Sequence, residues 1–272
     1  MKAIKNFFQI RGGTSIGPSL ILGLIPIVVL IGIWWYLTLG ETAEERILSP
    51  LTLPSPKEVV LAIPLLITKG NLLQGILASF RRVAVGFLIA SAIALPLGAA
   101  MGSIGKLKAM FTPLTVISGY LPIAALVPLT LSWFGTGEEQ KYAFLALAFF
   151  VYLLPLVVES LDKVDEVYVQ TAYTLGANKW HIISKVLFPI AFYDIWQAMR
   201  LAFGVGWTYI ILAEIIFSEA GLGQIIIIAQ RRGPREYMYL VIIVIALLAW
   251  LTDKMWAGIG RLLFPYKKTT TE

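Results

Sequence analysis

Three uncharged apolar runs limit what this chain can fold into. They extend from Gly12 to Gly40, from Val83 to Gly105 and from Ala109 to Gly137. A helix of about 20 apolar residues crosses the hydrocarbon core of a bilayer, so each run is long enough to span a membrane. A soluble chain of this length could not bury all three runs in one core. The runs therefore predict a membrane protein.

Three shorter apolar runs follow, and they bring the number of candidate spans to six. They cover Tyr142 to Val158, Ile190 to Phe217 and Tyr237 to Thr252. The chain is 58% hydrophobic and 14% charged, whereas soluble domains carry about 25% charged residues. The runs do not alternate in short segments as the strands of a membrane barrel do. We therefore predict an all-α, polytopic membrane protein with six transmembrane helices.

The six candidate spans form a single transmembrane domain over residues 1–272. Residues 1–40 hold the N-terminal tail and first helix, and residues 81–265 hold a core of five helices. Residues 41–80 are too interrupted to span, but their apolar residues recur at helical spacing, which predicts an amphipathic helix on the outer, periplasmic membrane surface. The first run exceeds the h-region of a signal peptide, so we expect it to be retained.

Charged residues in the short loops indicate the orientation. Residues 102–109 carry two lysines and no acid, while residues 135–140 carry two glutamates and no base. Because basic residues accumulate at cytoplasmic ends, this pattern predicts cytoplasmic N- and C-termini. The net charge of +6 has the same origin, and we do not take it as a sign of nucleic-acid binding.

A polar segment from Asp162 to Phe188 separates the fourth and fifth candidate spans on the cytoplasmic side. Residues 165–174 can form one short helix, and Gly176 ends it because glycine accepts the left-handed conformation. Asn178 can cap a second short helix that leads to Pro189. The segment is therefore predicted to form two short helices joined by a tight bend.

The bend also carries side chains suited to contact with another protein. Tyr173 and Trp180 are apolar anchors of the kind that fill a partner's pocket, and Lys179 and His181 supply a polar rim. His181 is the only histidine, and the chain has no cysteine. We therefore expect no metal site in this chain and no catalytic role for His181.

The spacing in this segment resembles the cytoplasmic signature of ATP-binding-cassette (ABC) importer permeases, which is EAA, three residues, Gly, nine residues and I-x-L-P. Gln170-Thr171-Ala172 hold the EAA place, Gly176 holds the glycine place, and residues 186–189 hold the I-x-L-P place. The identities differ at Gln170 and Thr171, and conservatively at Val186 and Phe188. Further stretches are similar to permeases of the nitrate, sulfonate, taurine and bicarbonate importer group: "LPSPKEV", "ASFRRVAVGFLIASAIALPLGAAMG", "RLAFGVGWTYIILAEIIFSEAGLG" and "LTDKMWAGIGRLLFPYKK".

The resemblance implies a type I ABC importer permease fold in a bacterial inner (plasma) membrane. It implies a second permease copy, two cytoplasmic ATPase subunits and a periplasmic substrate-binding protein as partners. Residues 162–188 would be the coupling segment that contacts the ATPase, through Gln170, Thr171, Ala172, Tyr173, Gly176, Ala177, Asn178, Lys179, Trp180, His181 and Pro189. The chain has no G-x-x-x-x-G-K-[ST] P-loop, so ATP and magnesium would be bound by the ATPase subunits, with no cofactor and no catalysis in this chain.

Two charges fall inside the fifth candidate span. Arg200 and Glu214 lie roughly 21 Å apart on nearly the same helix face, so they cannot pair with each other. A charge within a span usually faces the protein interior. Either the two residues line a translocation pathway, or each pairs with a neighbouring helix, and the sequence leaves both readings open.

Two further groups are candidates for the pathway and its mouth. Gly119, Tyr120, Leu121 and Pro122 interrupt the third span, where a proline kink would suit a gate or serve packing alone. Arginines gather at the outer side, either as an electropositive mouth or binding-protein docking surface for an anion, or in contact with lipid headgroups: Arg81, Arg82, Arg231, Arg232 and Arg235. In the second span, we expect Gly86, Gly98 and Gly102 to permit close helix packing.

The predicted function is a non-catalytic transport subunit for a small anion. Nitrate or nitrite is the first candidate, with bicarbonate, taurine or other sulfonates, and cyanate open. A secondary transporter is the alternative class, but such proteins usually contain repeated halves, and no internal repeat occurs here. An intramembrane enzyme would need paired aspartates within spans or a motif such as H-E-x-x-H, and neither occurs in the sequence.

Overall fold

The computed structural model describes residues 16–40, 42–216 and 218–267, and every regular element within them is a helix. In chain order the helices are α1 (Ile16–Leu37), α2 (Pro56–Thr68), α3 (Leu72–Ser103), α4 (Gly105–Gly119), α5 (Leu126–Phe134), α6 (Glu138–Asp162), α7 (Glu166–Thr174), α8 (Lys179–Ile182), α9 (Phe188–Ile215), α10 (Leu222–Arg232) and α11 (Arg235–Leu263). A 3-10 turn at Ile123–Ala125 precedes α5, and a π-helical turn at Ile183–Leu187 joins α8 to α9.

Five of these elements are long and apolar enough to cross a membrane: α1, α3, α6, the continuous stretch from α8 to α9, and α11. Helix α4 and the helical segment Ile123–Phe134, which includes α5, meet the same criteria only as a pair. Their axes are bent by 87°. With that pair counted as one broken span, the described residues contain six spans. The all-α prediction with six transmembrane helices is confirmed. The third span is broken into two helices rather than kinked.

The segment before the second span contains one short helix, α2. Ser55 and Glu58 form a capping box, in which each side chain accepts a hydrogen bond from the backbone N–H of the other residue. The helix buries Val59, Ala62 and Leu66 along one face and packs against α11. The amphipathic helix thus lies against the bundle. Helix α3 begins at Leu72, so residues 72–80 belong to the second span and not to the segment expected at 41–80.

Helices α3, α6 and α9 form the centre of the bundle, and glycines set the distance between α3 and α6. A Cβ on Gly86 would lie 2.6 Å from a side-chain atom of Leu145, and one on Gly102 would lie 2.6 Å from Leu161. The corresponding distance between Gly98 and Val157 is 2.7 Å. The missing Cβ atoms therefore allow the two backbones to approach closely, as predicted for these glycines.

Helix α1 stands apart from this centre. Its most apolar stretch has no buried residues in the single chain. It is held at its C-terminal end, where Trp34 Nε1 donates to Pro54 O at 2.8 Å and Leu48 N donates to Leu37 O at 3.1 Å. Most of its surface is thus available to lipid or to another chain.

Candidate functional site

The bend between the fourth and fifth spans is built by local hydrogen bonds. Helix α7 begins where the Asp165 side chain accepts from Val167 N at 3.0 Å. It ends in a Schellman motif, in which Ala177 N donates to Ala172 O and Gly176 N donates to Tyr173 O, both at 3.0 Å. The motif requires a left-handed residue, and Gly176 has φ +79°.

The second half of the bend is capped in a similar way. The Asn178 side chain accepts from His181 N at 2.9 Å, and Ile182 is buried at the base of α8. The π-helical turn then leads directly into α9, with Pro189 as its second residue. Because proline lacks an N–H, it removes one bond of the helical ladder at this junction. The predicted pair of short helices around a glycine bend is confirmed.

The bend presents large apolar side chains outward. Leu175, Trp180 and Tyr173 are 82%, 71% and 52% exposed. Ala172 is buried and holds the bend against the protein, and Ala177 is half-buried. The other residues expected to contact a partner are exposed: Gln170, Thr171, Gly176, Asn178, Lys179, His181 and Pro189. A locally rigid turn with exposed apolar side chains is suited to bind a groove on another protein.

The residues proposed for a gate lie at the break in the third span. Gly119 ends α4, and Pro122 precedes the 3-10 turn. Tyr120 is 85% exposed and Leu121 is 48% exposed in the single chain. The break thus places an aromatic side chain on an open surface of the protomer.

The two charges of the fifth span lie in different environments. Arg200 forms a bidentate pair with Asp253 of α11, with Nε–Oδ1 and Nη2–Oδ2 distances of 2.5 and 2.6 Å. Arg82 Nη1 of α3 lies 2.7 Å from Glu214 Oε1. Each residue therefore pairs with a neighbouring helix.

Glu214 is the centre of a buried network that joins the N-terminal part of α3 to the C-terminal end of α9. Its carboxylate accepts from Ser79 Oγ at 2.7 Å and from Gly223 N at 2.8 Å. Ser79 Oγ also accepts from Leu222 N at 2.9 Å, and Arg82 Nη1 donates to Ala220 O at 2.6 Å. The network fixes the loop before α10 to two spans.

A second carboxylate extends this network to α6. Glu138 accepts two hydrogen bonds from Arg82, at 2.6 and 2.8 Å, and Lys141 lies 3.4 Å from Glu138. Sequence reasoning did not identify Ser79, Glu138 or Asp253 as partners. The one available signal was that Glu138 and Arg82 both lie near the predicted outer ends of spans.

The five arginines predicted for the outer side do not share one environment. Arg81 and Arg231 are exposed, Arg235 is half-buried, and the side chain of Arg232 lies outside the described residues. Arg82 is buried and paired with two glutamates, because it lies within α3 and faces the bundle. It therefore adds no positive charge to the surface of the protein.

Comparison with known proteins gives the family. Residues 92–259 match the family described as "Binding-protein-dependent transport system inner membrane component". The taurine transport system permease protein of Escherichia coli is 28% identical, with 90% of this chain and 89% of that protein covered. A putative ABC transporter permease protein of Methanocaldococcus jannaschii is 31% identical, with 76% and 79% covered. The nitrate import permease protein of a Synechocystis strain is 26% identical, with 91% and 90% covered.

The fold agrees with this assignment. A chain of the MetNI methionine ABC transporter, solved in an inward-facing conformation, superposes with a TM-score of 0.63 at 20% identity. The match covers 70% of this chain and 95% of that chain. The protein is thus a multi-pass membrane protein with the type I ABC importer permease fold, and it belongs to the family of inner membrane components of binding-protein-dependent transport systems.

Proposed function

We propose that this permease forms the translocation pathway for a small anion. The bend between the fourth and fifth spans, residues 162–188, lies on the inner side of the membrane and docks a cytoplasmic ATPase subunit; we call it the inner bend. Two permease copies and two ATPase subunits make up the proposed transporter, and a periplasmic binding protein delivers the substrate. ATP and magnesium are bound by the ATPase, and this chain catalyses no reaction. Both termini lie in the cytoplasm.

The observation that carries this proposal is the exposed apolar surface of the bend. Leu175 and Trp180 are among the most exposed large apolar side chains of the described residues. They lie on a capped turn outside the apolar part of the spans, so lipid tails do not cover them. Burying one such side chain stabilises a complex by about 2 kcal/mol. A groove on the ATPase provides that burial, and the rigid turn transmits its movement to α9.

Substitution of Leu175 tests the docking role against a matched control. Leu262, at the end of α11, is 83% exposed and Leu175 is 82% exposed. We expect Leu175→Ala to reduce copurification of the ATPase, while Leu262→Ala leaves it unchanged. Equal copurification of the ATPase with both variants would exclude the bend as the docking surface.

The proposed substrate is a small anion. Relatives are named for taurine, aliphatic sulfonates, nitrate and bicarbonate, at 28%, 29%, 26% and 28% identity. Because these four identities are nearly equal, they do not indicate which of the substrates this chain transports. We propose nitrate or nitrite first, with bicarbonate, taurine or alkanesulfonate, and cyanate as alternatives.

The substrate test uses the reconstituted complex with its binding protein. We expect one of these anions to stimulate ATP hydrolysis and uptake, and chloride at the same concentration to do neither. Uptake by the permease alone, driven by an ion gradient, would support a secondary transporter instead.

A further inference from the structure

A basic cavity lies between the inner ends of α9 and α11. Its volume is about 360 Å³, and its polar lining consists of Tyr193, Gln197, Arg200, Lys254, Arg261 and Lys267. Ala257, Gly260 and Phe264 complete the wall. No residue of this cavity belongs to the inner bend, so it is a separate site.

The cavity has an excess of positive charge. Asp253 is paired with Arg200 in a bidentate contact, so one of the four cations is neutralised and three are not. Among the residues described, Lys254, Arg261 and Lys267 form no ion pair with a carboxylate. Lys267 Nζ lies 5.0 Å from the centre of the Tyr193 ring and Lys254 Nζ lies 5.8 Å from that of Trp250, contacts that hold the ammonium groups without neutralising them.

The position of the cavity along the two helices corresponds to the membrane interface. The run predicted as the fifth span begins at Ile190, but its longest uncharged stretch in α9 extends only from Leu201 to Ala213. The preceding residues include Asp194 and Arg200, which places this first part at the interface rather than in the hydrocarbon core. The uncharged stretch of α11 ends at Thr252, directly before Asp253. Trp196 and Trp256 contact each other on the polar side of this boundary, with their ring centroids 4.5 Å apart and their planes tilted by 51°. Tryptophans concentrate at the level of lipid headgroups. The cavity thus opens where lipid phosphates lie.

An apolar surface continues from the cavity toward the middle of the membrane. Leu247 and Leu251 of α11 are 51% and 47% exposed, and they lie one turn apart on the same face, approaching Lys254. A molecule that places an anionic group in the cavity can lay an acyl chain along this surface. Lipids have this combination of groups, whereas inorganic phosphate lacks the acyl chain.

We infer that this cavity binds the phosphate headgroup of an anionic phospholipid. The Arg261 guanidinium can donate two parallel hydrogen bonds to phosphate oxygens. Lys254 and Lys267 attract the same group as point charges. Basic cavities between membrane helices on the cytoplasmic side recognise anionic headgroups by this chemistry.

The test measures lipid retained by the full-length permease after purification from bilayers of phosphatidylglycerol and phosphatidylcholine. We expect selective retention of phosphatidylglycerol by the unmodified protein. The triple variant Lys254→Gln, Arg261→Gln, Lys267→Gln is expected to lose affinity by about five-fold for each charge removed. The control triple Lys57→Gln, Lys69→Gln, Lys106→Gln removes the same charge at exposed sites outside the cavity and should retain the lipid.

Further measurements separate the lipid from free phosphate and from misfolding. The charge-retaining variant Lys267→Arg should keep phosphatidylglycerol, and the single variant Arg261→Gln should show a partial loss even if the triple variant does not fold. Equal loss of phosphatidylglycerol in the control triple would overturn the inference. Binding of inorganic phosphate that depends on the cavity lysines, without selectivity for phosphatidylglycerol, would overturn it as well. None of these measurements requires an ATPase, so their outcome is independent of the docking proposal.

Discussion

Arg82 of α3 and Glu214 of α9 form an ion pair at 2.7 Å, and their side chains are only 4% and 0% exposed. Glu138 of α6 accepts a hydrogen bond from the same guanidinium. Two carboxylates and one arginine therefore join three spans at one end of the bundle. The loop that leads to α10 is held by the same groups, through the N–H groups of Leu222 and Gly223.

Loss of the arginine should strongly destabilise the permease. Arg82→Met leaves Glu214 buried with hydrogen-bond donors but without a cation, and breaking a buried pair in this way costs about 3–5 kcal/mol. Thermal unfolding in detergent should show a large decrease in Tm. Lys108→Met is the control, because the Lys108–Asp162 pair is 41% exposed on both sides and such a pair contributes about 0–1 kcal/mol. Similar Tm decreases in the two variants would contradict the assigned role of the buried pair.

This network also shows which contacts could not be predicted from the sequence. The span count followed from hydrophobic runs, because the cost of exposing polar backbone in lipid forces each run into a helix. Pairing between spans depends on which helices are neighbours, and hydropathy does not contain that information. Arg82 was therefore grouped with exposed arginines, although it lies inside the bundle. Arg200 and Glu214 were recognised as interior charges, but Asp253 and Arg82 could not be assigned as their partners.

A glycine in α9 sets the distance to α6, and a second glycine two residues away does not. A Cβ on Gly206 would lie 2.2 Å from Phe149 Cζ, whereas one on Gly204 would meet nothing within 4 Å. We expect Gly206→Ala to destabilise the chain by about 1–3 kcal/mol through overpacking. Gly204→Ala should have little effect or a small stabilising one. Tm measurements on the two variants check this. An equal change in Tm would contradict the prediction, because it would mean that α6 and α9 accommodate the added methyl group at Gly206.

The bend at Gly176 allows a test of charge separately from shape. The residue has φ +79°, and a Cβ there would meet nothing within 4 Å. Asparagine and aspartate both tolerate this conformation, so Gly176→Asn and Gly176→Asp should both fold. We expect Gly176→Asp to weaken ATPase binding and uncouple transport, and Gly176→Asn to retain most activity. Normal uptake by Gly176→Asp would contradict docking through this residue.

The bend was more accessible to sequence reasoning than the ionic network. Its caps depend on residues a few positions apart, such as Asn178 with His181 and Gly176 with Tyr173. Local hydrogen bonds of this kind are encoded by residue type and spacing alone. The break of the third span was only partly predictable. Prolines indicated a kink, but the 87° angle also depends on how α5 packs against α6.

The Arg46–Glu58 contact gives a pH dependence outside the spans. Arg46 donates to both oxygens of Glu58, at 2.8 and 3.2 Å, and this hydrogen bonding lowers the Glu58 pKa below its ordinary value of 4.5. A lowered pKa in the folded state means that the contact stabilises the protein above pH 4.5, and this contribution is lost as the pH falls through the folded-state pKa. The difference in Tm between the unmodified protein and Glu58→Gln should be constant near neutral pH and should shrink in acid. A difference that grows below pH 4.5 would reverse the assigned sign.

Exchange of the two charges distinguishes the two readings of Arg200. The Arg200 and Asp253 side chains are 29% and 42% exposed, so the pair is open enough to accept a reversed arrangement. We expect Arg200→Asp and Asp253→Arg each to lower the yield of folded protein, because each places two like charges side by side. The double variant should restore folding, and it should restore uptake if Arg200 serves to join α9 to α11. Restored folding without uptake in reconstituted vesicles would assign Arg200 to the translocation pathway, since a pairing role is satisfied by either arrangement of the charges.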